Sequence, residues 1–255
     1  MLSFRTRIGN IKRYLFDSPD LPIVALSKSY GLCGCSVVHC GAGFAEEAEL
    51  YASLNFKKVF WIEANPFMIE SIQKRLSKYA NQTVLNSALW NEVETLQFNI
   101  ASNWGSSSFL PSSLHSSKFP DISFSKKIRV TTCTLDSLGL HGEAPLFLVL
   151  DVQGAELKVL EGAKQTLTNT NYLYLEFSNE ELYLGSPTLK EIRDYLQSDF
   201  DLLDCKLSKK HDYGNALFVR KGTLKFSFFR RIYRKLFTGY LLISKVVLLG
   251  KQSIN

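Results

Sequence analysis

Two glycines and a carboxylate in this chain have the spacing of a site that binds a ribose-bearing ligand. Gly41 and Gly43 follow a mainly apolar run at 37–40, and Glu63 ends a second apolar run, 22 residues after Gly41. A glycine lets the backbone approach a ligand that a β-carbon would push away. A carboxylate at about this distance from the turn binds ribose hydroxyls in nucleotide-binding βαβ units. The pattern therefore predicts a βαβ unit with a ribose-bearing cofactor at its strand ends.

An α/β sheet is needed to position these residues. Apolar runs alternate with helical patterns from about 36 to 205, which predicts a mostly parallel sheet with helices on both faces. A closing pair of strands is expected at 200–205 and 216–219, turning at Gly214-Asn215. The other predicted strands are 36–40, 58–62, 83–85, 146–151 and 172–177, and the predicted helices are about 44–55, 66–79, 155–168 and 189–197.

Residues 89–135 do not follow this alternation. Period-two apolar residues at 96–100 and the run at 128–134 indicate strands, and a serine-rich stretch at 102–117 separates them. We expect a β-rich insertion that holds a mobile loop around 104–108. The serines at 106–108 fit a loop that covers a substrate and a flexible surface connection equally well.

Charge divides the chain into an acidic body with two basic ends. Residues 1–16 carry four basic and no acidic side chains, and residues 221–255 carry eight basic and none acidic. The part between them holds 18 basic and 24 acidic residues, a net charge of −6. We therefore expect a basic, helical N-terminal extension at 1–35, a central domain at 36–220 and a basic amphipathic tail at 221–255.

The tail interleaves arginine and lysine with aromatic and aliphatic residues over 222–251. Cations on one helical face and apolar side chains on the other suit a helix at an anionic membrane surface. Packing on the body or on a second subunit fits the same periodicity, so the oligomeric state stays open. The acidic body and the absence of a nucleic-acid module disfavour a nucleic-acid partner.

Neither a signal peptide nor an apolar stretch of roughly 18–20 residues is found. Five cysteines without a disulfide-like framework favour a reducing compartment. We therefore expect a cytoplasmic protein, attached at the inner membrane surface if its basic ends bind there. Cys33, Cys35, His39 and Cys40 have metal-ligand chemistry, but no second cluster completes a tetrahedral set, and small buried cysteines are common. No metal is expected at this cluster.

The first turn discriminates among ribose-bearing cofactors. A dinucleotide site requires a third small residue, and this position is occupied by Glu46. A phosphate-binding P-loop requires Gly-Lys-Ser/Thr after the turn, and that sequence is absent. A non-catalytic or NAD-type nucleotide-binding protein is kept as the alternative function.

Five blocks of the sequence resemble the FkbM family of S-adenosylmethionine-dependent methyltransferases. The blocks are 37–44, 61–66, 86–89, 132–138 and 150–160. The last block, with Thr-Leu-Asp ahead of it, is the most specific, because glycine-rich turns occur in many folds. The resemblance implies a Rossmann-like sheet of seven strands. It also implies O-methylation of a hydroxyl group on a sugar, glycolipid or natural-product-type small molecule.

The resemblance also implies which positions would bind S-adenosylmethionine. The turn after the first strand would lie under its methionine and ribose parts. The acid after the second strand would accept hydrogen bonds from both ribose hydroxyls. Residues after the second and third strands would line the adenosine, and an acid after the fourth would face the methionine end or the acceptor. These positions are Gly41, Ala42, Gly43, Glu63, Ala64, Asn65, Ser87, Ala88 and Asp151.

Methyl transfer to a hydroxyl benefits from alignment of the reacting atoms and from a base that takes the hydroxyl proton. The candidates are Asp151, Glu156 and Glu176, and Asp151 with Glu176 could instead share a divalent metal, a less favoured alternative. Asp151 is the strongest, because a carboxylate that ends a buried strand is costly without a partner. Glu156 is also favourable at a helix N-terminus, and Glu176 fits a solvated strand end. Asp136 is expected to cap a local turn or a helix start.

The chain departs from the family pattern at two positions. His39 stands where the family usually has an acidic residue, so Glu46 or Asp151 could hold the amino group of the cofactor instead. We expect His39 to be a hydrogen-bonded core histidine rather than a base. Gln153 replaces the glutamate of an Asp-x-Glu-Gly motif, and little consequence is expected because Glu156 remains.

Overall fold

A computed structural model describes residues 23–32, 34–208 and 212–224. The N-terminal basic segment, Cys33 and the tail beyond Leu224 lie outside these residues, so the three-part division stays a prediction. The strands are β1 Ser36–Cys40, β2 Val59–Glu63, β3 Gln82–Asn86, β4 Ala88–Leu89, β5 Thr95–Ile100, β6 Lys126–Cys133, β7 Leu146–Leu150, β8 Thr170–Ser178, β9 Phe200–Leu207 and β10 Tyr213–Arg220. The α-helices are α1 Ile23–Tyr30, α2 Ala48–Ser53, α3 Ile69–Leu76, α4 His115–Lys118, α5 Glu156–Glu161, α6 Lys164–Thr168 and α7 Leu189–Leu196.

A seven-stranded sheet forms the centre of the structure, in the order β3-β2-β1-β7-β8-β10-β9. The first five strands in this order pair in parallel, and β10 is antiparallel to both β8 and β9. The prediction of a mostly parallel, Rossmann-like sheet of seven strands is therefore confirmed.

Helices cover both faces of the sheet. Successive strand residues point to opposite faces, so Val37 packs in a cluster with residues of α1, α2 and α3. Its neighbour Val38 packs in a second cluster with residues of α5 and α7. All five residues of β7 are buried, as expected for a strand covered on both faces. Among the helices within the described ranges, none is long and apolar enough to cross a membrane.

Two predicted helices differ from those observed. The helix predicted from residue 44 begins only at Ala48, because Ala45 has a left-handed φ of 52° that interrupts helical geometry. The helix predicted over 155–168 divides into α5 and α6 at Gly162. A β-carbon on Gly162 would lie 2.4 Å from the carbonyl oxygen of Trp90, so this close approach to the insertion requires glycine.

The side chain of Asp136 caps the start of α6. Its carboxylate accepts hydrogen bonds from the backbone N–H groups of Gln165 and Thr166, each at 2.8 Å, and from the Thr166 hydroxyl. These N–H groups belong to the first turn of α6 and have no partner within the helix. The predicted cap at a helix start is confirmed, but the helix is distant in sequence rather than local.

The turn predicted at Gly214-Asn215 is wrong. Both residues lie inside β10, and the chain reverses between Leu207 and Tyr213. A β-carbon on Gly214 would lie 2.1 Å from the carbonyl oxygen of Lys206, so this glycine serves a close approach between strands.

The insertion forms the predicted β-rich unit, a three-stranded sheet in the order β4-β6-β5. Ser106, Ser107 and Ser108 are buried, so the alternative of a flexible surface connection is wrong. The Ser108 hydroxyl donates a hydrogen bond to the carbonyl oxygen of Gln153 at 2.7 Å. The insertion is thereby held against the segment that follows β7.

Candidate functional site

The turn after β1 is pressed against the segment that follows β7. Gly41 has a φ of 85°, and a β-carbon on it would lie 1.7 Å from the carbonyl oxygen of Asp151. The N–H of Gly41 donates to Ile62 at 2.9 Å, and the N–H of Asp151 donates to Cys40 at 2.9 Å. Only glycine fits here, and its presence brings the carboxyl ends of β1, β2 and β7 together.

Glu63 is a buried carboxylate at the end of β2. Its Oε1 accepts a hydrogen bond from the N–H of Asn65 at 2.7 Å, and its carboxylate also interacts with the N–H groups of Gly43 and Ala64. Burial raises the pKa of Glu63 to about 7, although these hydrogen bonds oppose the rise. The ionised group is therefore poised to bind donors such as paired hydroxyls.

A cavity of about 90 Å³, here called the small cavity, lies at this edge of the sheet. Six of the nine predicted cofactor positions line it, namely Gly41, Gly43, Glu63, Ala64, Ser87 and Asp151. The insertion also lines this cavity, through Trp104, Gly105, Ser107 and Phe109 among others. The Trp104 ring stacks on Phe44, with ring centroids 5.9 Å apart, so residues of the β1 turn and the insertion meet beside the cavity.

The other three predicted positions, Ala42, Asn65 and Ala88, are buried and do not line this cavity. The side-chain oxygen of Asn65 accepts a hydrogen bond from the N–H of Phe67 at 3.1 Å and begins a short 3-10 turn. Asn65 therefore shapes the chain after Glu63 from behind the cavity wall.

A second cavity of about 350 Å³, the large cavity, lies next to the first. Carboxyl, amide and aromatic side chains share its wall, including Gln153, Glu156, Glu176, Tyr183, Phe119 and Tyr213. Gln153 and Gly105 line both cavities. The two cavities therefore adjoin at the segment after β7, where a group bound in one could reach a group bound in the other.

Asp151 and Glu176 form a carboxyl pair at this junction. Their side chains hydrogen-bond to each other, and the loss of solvation beside the sheet edge raises the pKa of both, that of Glu176 well above its usual range. Glu176 is half-buried, whereas Asp151 stays exposed to solvent on one side. Two carboxyl groups this close hold a proton between them more readily than two full charges. Of the three predicted proton acceptors, the structure brings these two together.

Glu156, the third candidate, holds the turn that precedes α5. Its Oε1 accepts hydrogen bonds from the N–H groups of Val152 and Gly154, both at 3.2 Å. The side chain is buried, and this burial raises the pKa of Glu156 to about 7. The structure thus gives Glu156 a role in shaping the turn, and its catalytic role stays a prediction.

His39 is a hydrogen-bonded core histidine, as expected. Its Nδ1 lies 3.0 Å from the Tyr51 hydroxyl, and its ring stacks on Trp61 with centroids 4.6 Å apart. Burial lowers the pKa of His39 to about 4, so the ring is neutral near pH 7. Glu46, a suggested substitute for the missing acid, accepts a hydrogen bond from the N–H of Phe44 at 3.0 Å.

Within residues 23–32, 34–208 and 212–224, no group of three or more His, Cys, Asp or Glu side chains could hold a metal ion. Cys35 and Cys40 are buried thiols. The structure therefore brings no third such ligand to the Asp151 and Glu176 pair among these residues.

Two functional candidates escaped the sequence analysis. The sequence identifies Gln153 only as a departure from the Asp-x-Glu-Gly motif, with little consequence expected for function. Tyr183 carried no sequence signal, yet its hydroxyl lies 2.9 Å from the Gln153 side-chain oxygen and 2.9 Å from the Ser106 carbonyl oxygen. The serine run at 106–108 was a genuine signal, although only the fold shows which segment it contacts.

Comparison with known families shows which family the chain belongs to. The sequence profile of the Methyltransferase FkbM domain matches residues 39–213. This range includes the residues that line both cavities. The chain belongs to the FkbM methyltransferase family. The resemblance inferred from the five sequence blocks is therefore confirmed.

One curated relative of this FkbM-family chain is the 2-O-methyltransferase NoeI of Sinorhizobium fredii (strain NBRC 101917 / NGR234). It is 41% identical over 93 residues, which cover 35% of this chain and only 37% of NoeI. Among solved structures, the methyltransferase FkbM from Methylobacillus flagellatus KT has a TM-score of 0.48 at 16% identity, covering 73% of this chain and 43% of that one. A SAM dependent methyltransferase from Aquifex aeolicus has a TM-score of 0.46 at 14% identity, covering 86% and 100%.

Proposed function

We propose that this protein is an S-adenosylmethionine-dependent methyltransferase that methylates a hydroxyl oxygen of a sugar, glycolipid or natural-product-type small molecule. One observation carries the proposal. The small cavity, with its glycine turn and Glu63, adjoins the large cavity at a point flanked by Asp151 and Glu176. A methyl donor and an acceptor could thus meet beside a carboxyl pair.

The residues of the small cavity fit the cofactor chemically. Glu63 offers a carboxylate to the ribose hydroxyls, and Gly41 and Gly43 keep the turn free of side chains. Ser87 follows β3 at the same edge, where open α/β sheets bind ligands. When bound, the cofactor supplies a methyl carbon whose bond to sulfur breaks as the acceptor oxygen bonds to it, leaving S-adenosylhomocysteine.

The carboxyl pair suits the removal of the acceptor proton. One ionised carboxylate of Asp151 or Glu176 accepts the hydroxyl proton, while the other keeps the shared one. The accepted proton then passes to solvent, which restores the pair. Burial raises the pKa of the Tyr183 hydroxyl, so this group stays protonated, and its one proton is directed to the Gln153 side-chain oxygen and the Ser106 carbonyl oxygen.

The wall of the large cavity favours a hydroxylated acceptor. Glu176 and Gln153 present hydrogen-bonding groups, and Phe119, Tyr183 and Tyr213 present rings to apolar faces. Pairing polar groups with aromatic rings suits a sugar-like ring, which has hydroxyl edges and C–H faces. The name of the relative NoeI, a 2-O-methyltransferase, supports transfer to oxygen.

Calorimetric titration with S-adenosylhomocysteine and with NAD tests the proposal. We expect S-adenosylhomocysteine to bind and NAD to bind at least tenfold more weakly. Such a difference corresponds to a binding free energy at least roughly 1.4 kcal/mol less favourable for NAD. Binding of NAD without binding of S-adenosylhomocysteine would replace this function with the alternative, an NAD-type nucleotide-binding protein.

A further inference from the structure

Gln153 lies at the junction of the two cavities, and its backbone has a conformation that residues other than glycine rarely adopt. Its φ is 51°, in the left-handed region, and it is followed by Gly154 at 93°. Such a conformation costs of order 1–3 kcal/mol and persists only where surrounding contacts enforce it. Here the Ser108 hydroxyl donates to the Gln153 carbonyl oxygen at 2.7 Å, which ties the strained backbone to the insertion.

The side chain of Gln153 connects three polar side chains. Its Nε2 donates to Asp151 Oδ1 at 2.6 Å and to Glu176 Oε2 at 3.0 Å. Its Oε1 lies 2.9 Å from the Tyr183 hydroxyl. The opposite orientation of the amide would bring an acceptor oxygen against both carboxyl groups, so this network fixes which way the amide points.

We propose that Gln153 is a positioning residue for methyl transfer: its amide holds the Asp151 and Glu176 carboxyl groups at the place where the two cavities meet. The inference rests on the proposed function, because the pair matters only if an acceptor hydroxyl is bound beside it. Each carboxyl group receives one N–H of the same nitrogen, so the separation and orientation of the pair follow from a single planar group.

The uncharged amide is essential to this arrangement. A glutamate at position 153 would place a third carboxyl group within hydrogen-bonding distance of the pair and would remove both donors. The surroundings supply further negative charge, because Glu156 lies near Glu176 and Glu47 lies near Asp151. His39 also lies near Asp151, but its ring carries positive charge only at low pH, because burial lowers its pKa to about 4. The Gln153 hydrogen bonds lower the pKa of both carboxyl groups, which favours the ionised form that accepts a proton.

The test compares the full chain with its Gln153→Met and Gln153→Glu variants, which keep the side-chain length. Gln73, an exposed residue of α3, provides the matched controls Gln73→Met and Gln73→Glu. Carbon-13 labelling of aspartate and glutamate carboxyl groups lets NMR follow the protonation of each one. Asp151→Asn and Glu176→Gln assign the two signals.

Loss of the amide should move the midpoints of both carboxyl signals to higher pH in Gln153→Met, and further in Gln153→Glu. The Gln73 controls should leave them unchanged. Unaltered signals in a folded Gln153→Met variant would overturn the proposal. If that variant fails to fold, Gln153→Glu provides the test, because it adds a charge at nearly constant shape. Unaltered carboxyl signals in Gln153→Glu would then overturn the proposal.

S-adenosylhomocysteine calorimetry on the same proteins separates this inference from the proposed function. Retained binding in Gln153→Met, with shifted carboxyl signals, supports both. Absence of binding in the wild type overturns the proposed function, and with it the role in methyl transfer, even if the carboxyl signals shift. If Gln153→Met binds S-adenosylhomocysteine normally and its carboxyl signals are not shifted, only the positioning role of Gln153 is overturned.

Discussion

Glu63 lies where we propose that a ribose-bearing ligand binds, and its burial there disfavours the ionised form. Burial raises its pKa to about 7, so near neutral pH about half of the molecules carry the ionised form in the absence of ligand. Two hydroxyl donors of a ribose are best accepted by the ionised carboxylate. The affinity for a ribose-bearing ligand should therefore depend on pH in the range where Glu63 titrates.

We predict that the affinity for S-adenosylhomocysteine rises between pH 6 and pH 8. Glu63→Gln should weaken binding by about 2–3 kcal/mol at pH 8, or roughly 30- to 150-fold, because one charge-assisted contact pair is lost. The variant should also lose the pH dependence. Calorimetry at three pH values measures both effects, with Glu49→Gln, at an exposed position of α2, as the control. Equal affinities for Glu63→Gln and wild type would remove Glu63 from the site.

Glu156 should make the folded state less stable as the pH rises. Its pKa is about 7 in the folded protein and near 4.5 when unfolded, so the folded state binds its proton more tightly between these values. Stability is therefore full below about pH 4.5 and falls as the pH rises through 7. The loss from this residue is on the order of 3 kcal/mol.

Glu156→Gln keeps an oxygen that can accept from Val152 and Gly154 but removes the titration. Urea unfolding at pH 5 and pH 8 should show a smaller loss of stability in this variant than in the wild type. Glu70→Gln, at an exposed position of α3, should behave as the wild type does. An identical loss in wild type and Glu156→Gln would show that the pKa of Glu156 is the same in the folded and the unfolded protein.

The position of Glu63 could be predicted from the sequence, whereas the role of Gln153 could not. A glycine turn and an acid at the end of the next strand are neighbours in every βαβ unit, so local spacing determines where they meet. Asp151 is two residues from Gln153, but the other partners of Gln153 come from β8, the insertion and the loop that contains Tyr183. No local pattern relates these segments, and only the assembled sheet brings them within hydrogen-bonding distance.

At the scale of elements, the contact between the β1 turn and the insertion restricts the small cavity. Its volume of about 90 Å³ is below the roughly 300–1,000 Å³ of ligand pockets. The Phe44 and Trp104 rings stack beside it, one from each element. We therefore predict that these two elements move apart when a whole cofactor binds.

We predict that Trp104→Ala speeds the association of S-adenosylhomocysteine, because the stacking contact no longer opposes the separation. Aromatic pairs contribute about 0.5–1.5 kcal/mol, which corresponds to roughly a 2- to 12-fold faster rate. Stopped-flow fluorescence can measure it if Trp61 and Trp90 are retained. Val93→Ala, at an exposed position of the insertion, is the control. Slower association in Trp104→Ala would mean that the ring contributes to binding rather than restricting entry.

Strands were predicted more accurately than helices, for a physical reason. Buried parallel strands such as β1 and β7 are continuous apolar runs whose ends follow from composition. Helix boundaries depended on contacts invisible to local periodicity, as at Gly162, where the approach of Trp90 divides one apolar stripe into two helices. The hairpin turn was misplaced because Gly214 serves close strand packing and not chain reversal.

For the whole molecule, the uneven charge raises the question of what the basic ends contact. Leu224 packs against the core cluster that contains α1, so the body extends to this residue. Residues 225–255 carry seven basic and no acidic side chains, and they lie outside the described part of the chain. The sequence prediction of attachment to an anionic membrane surface remains a proposal, and Leu224 marks where a truncation should end.

We predict that the full chain floats with vesicles containing anionic phosphatidylserine and that a chain ending at Leu224 does not. Each basic residue near such a surface contributes about 1 kcal/mol, so replacing Arg230, Arg231, Arg234 and Lys235 by glutamine should reduce binding by more than about 100-fold. Vesicles of neutral phosphatidylcholine and a high-salt buffer are the controls, because screening weakens charge attraction but not apolar insertion. S-adenosylhomocysteine binding should be the same in the truncated and full chains, since both cavities belong to the body. Equal flotation of both chains would exclude the tail as the anchor and leave packing on protein as its role.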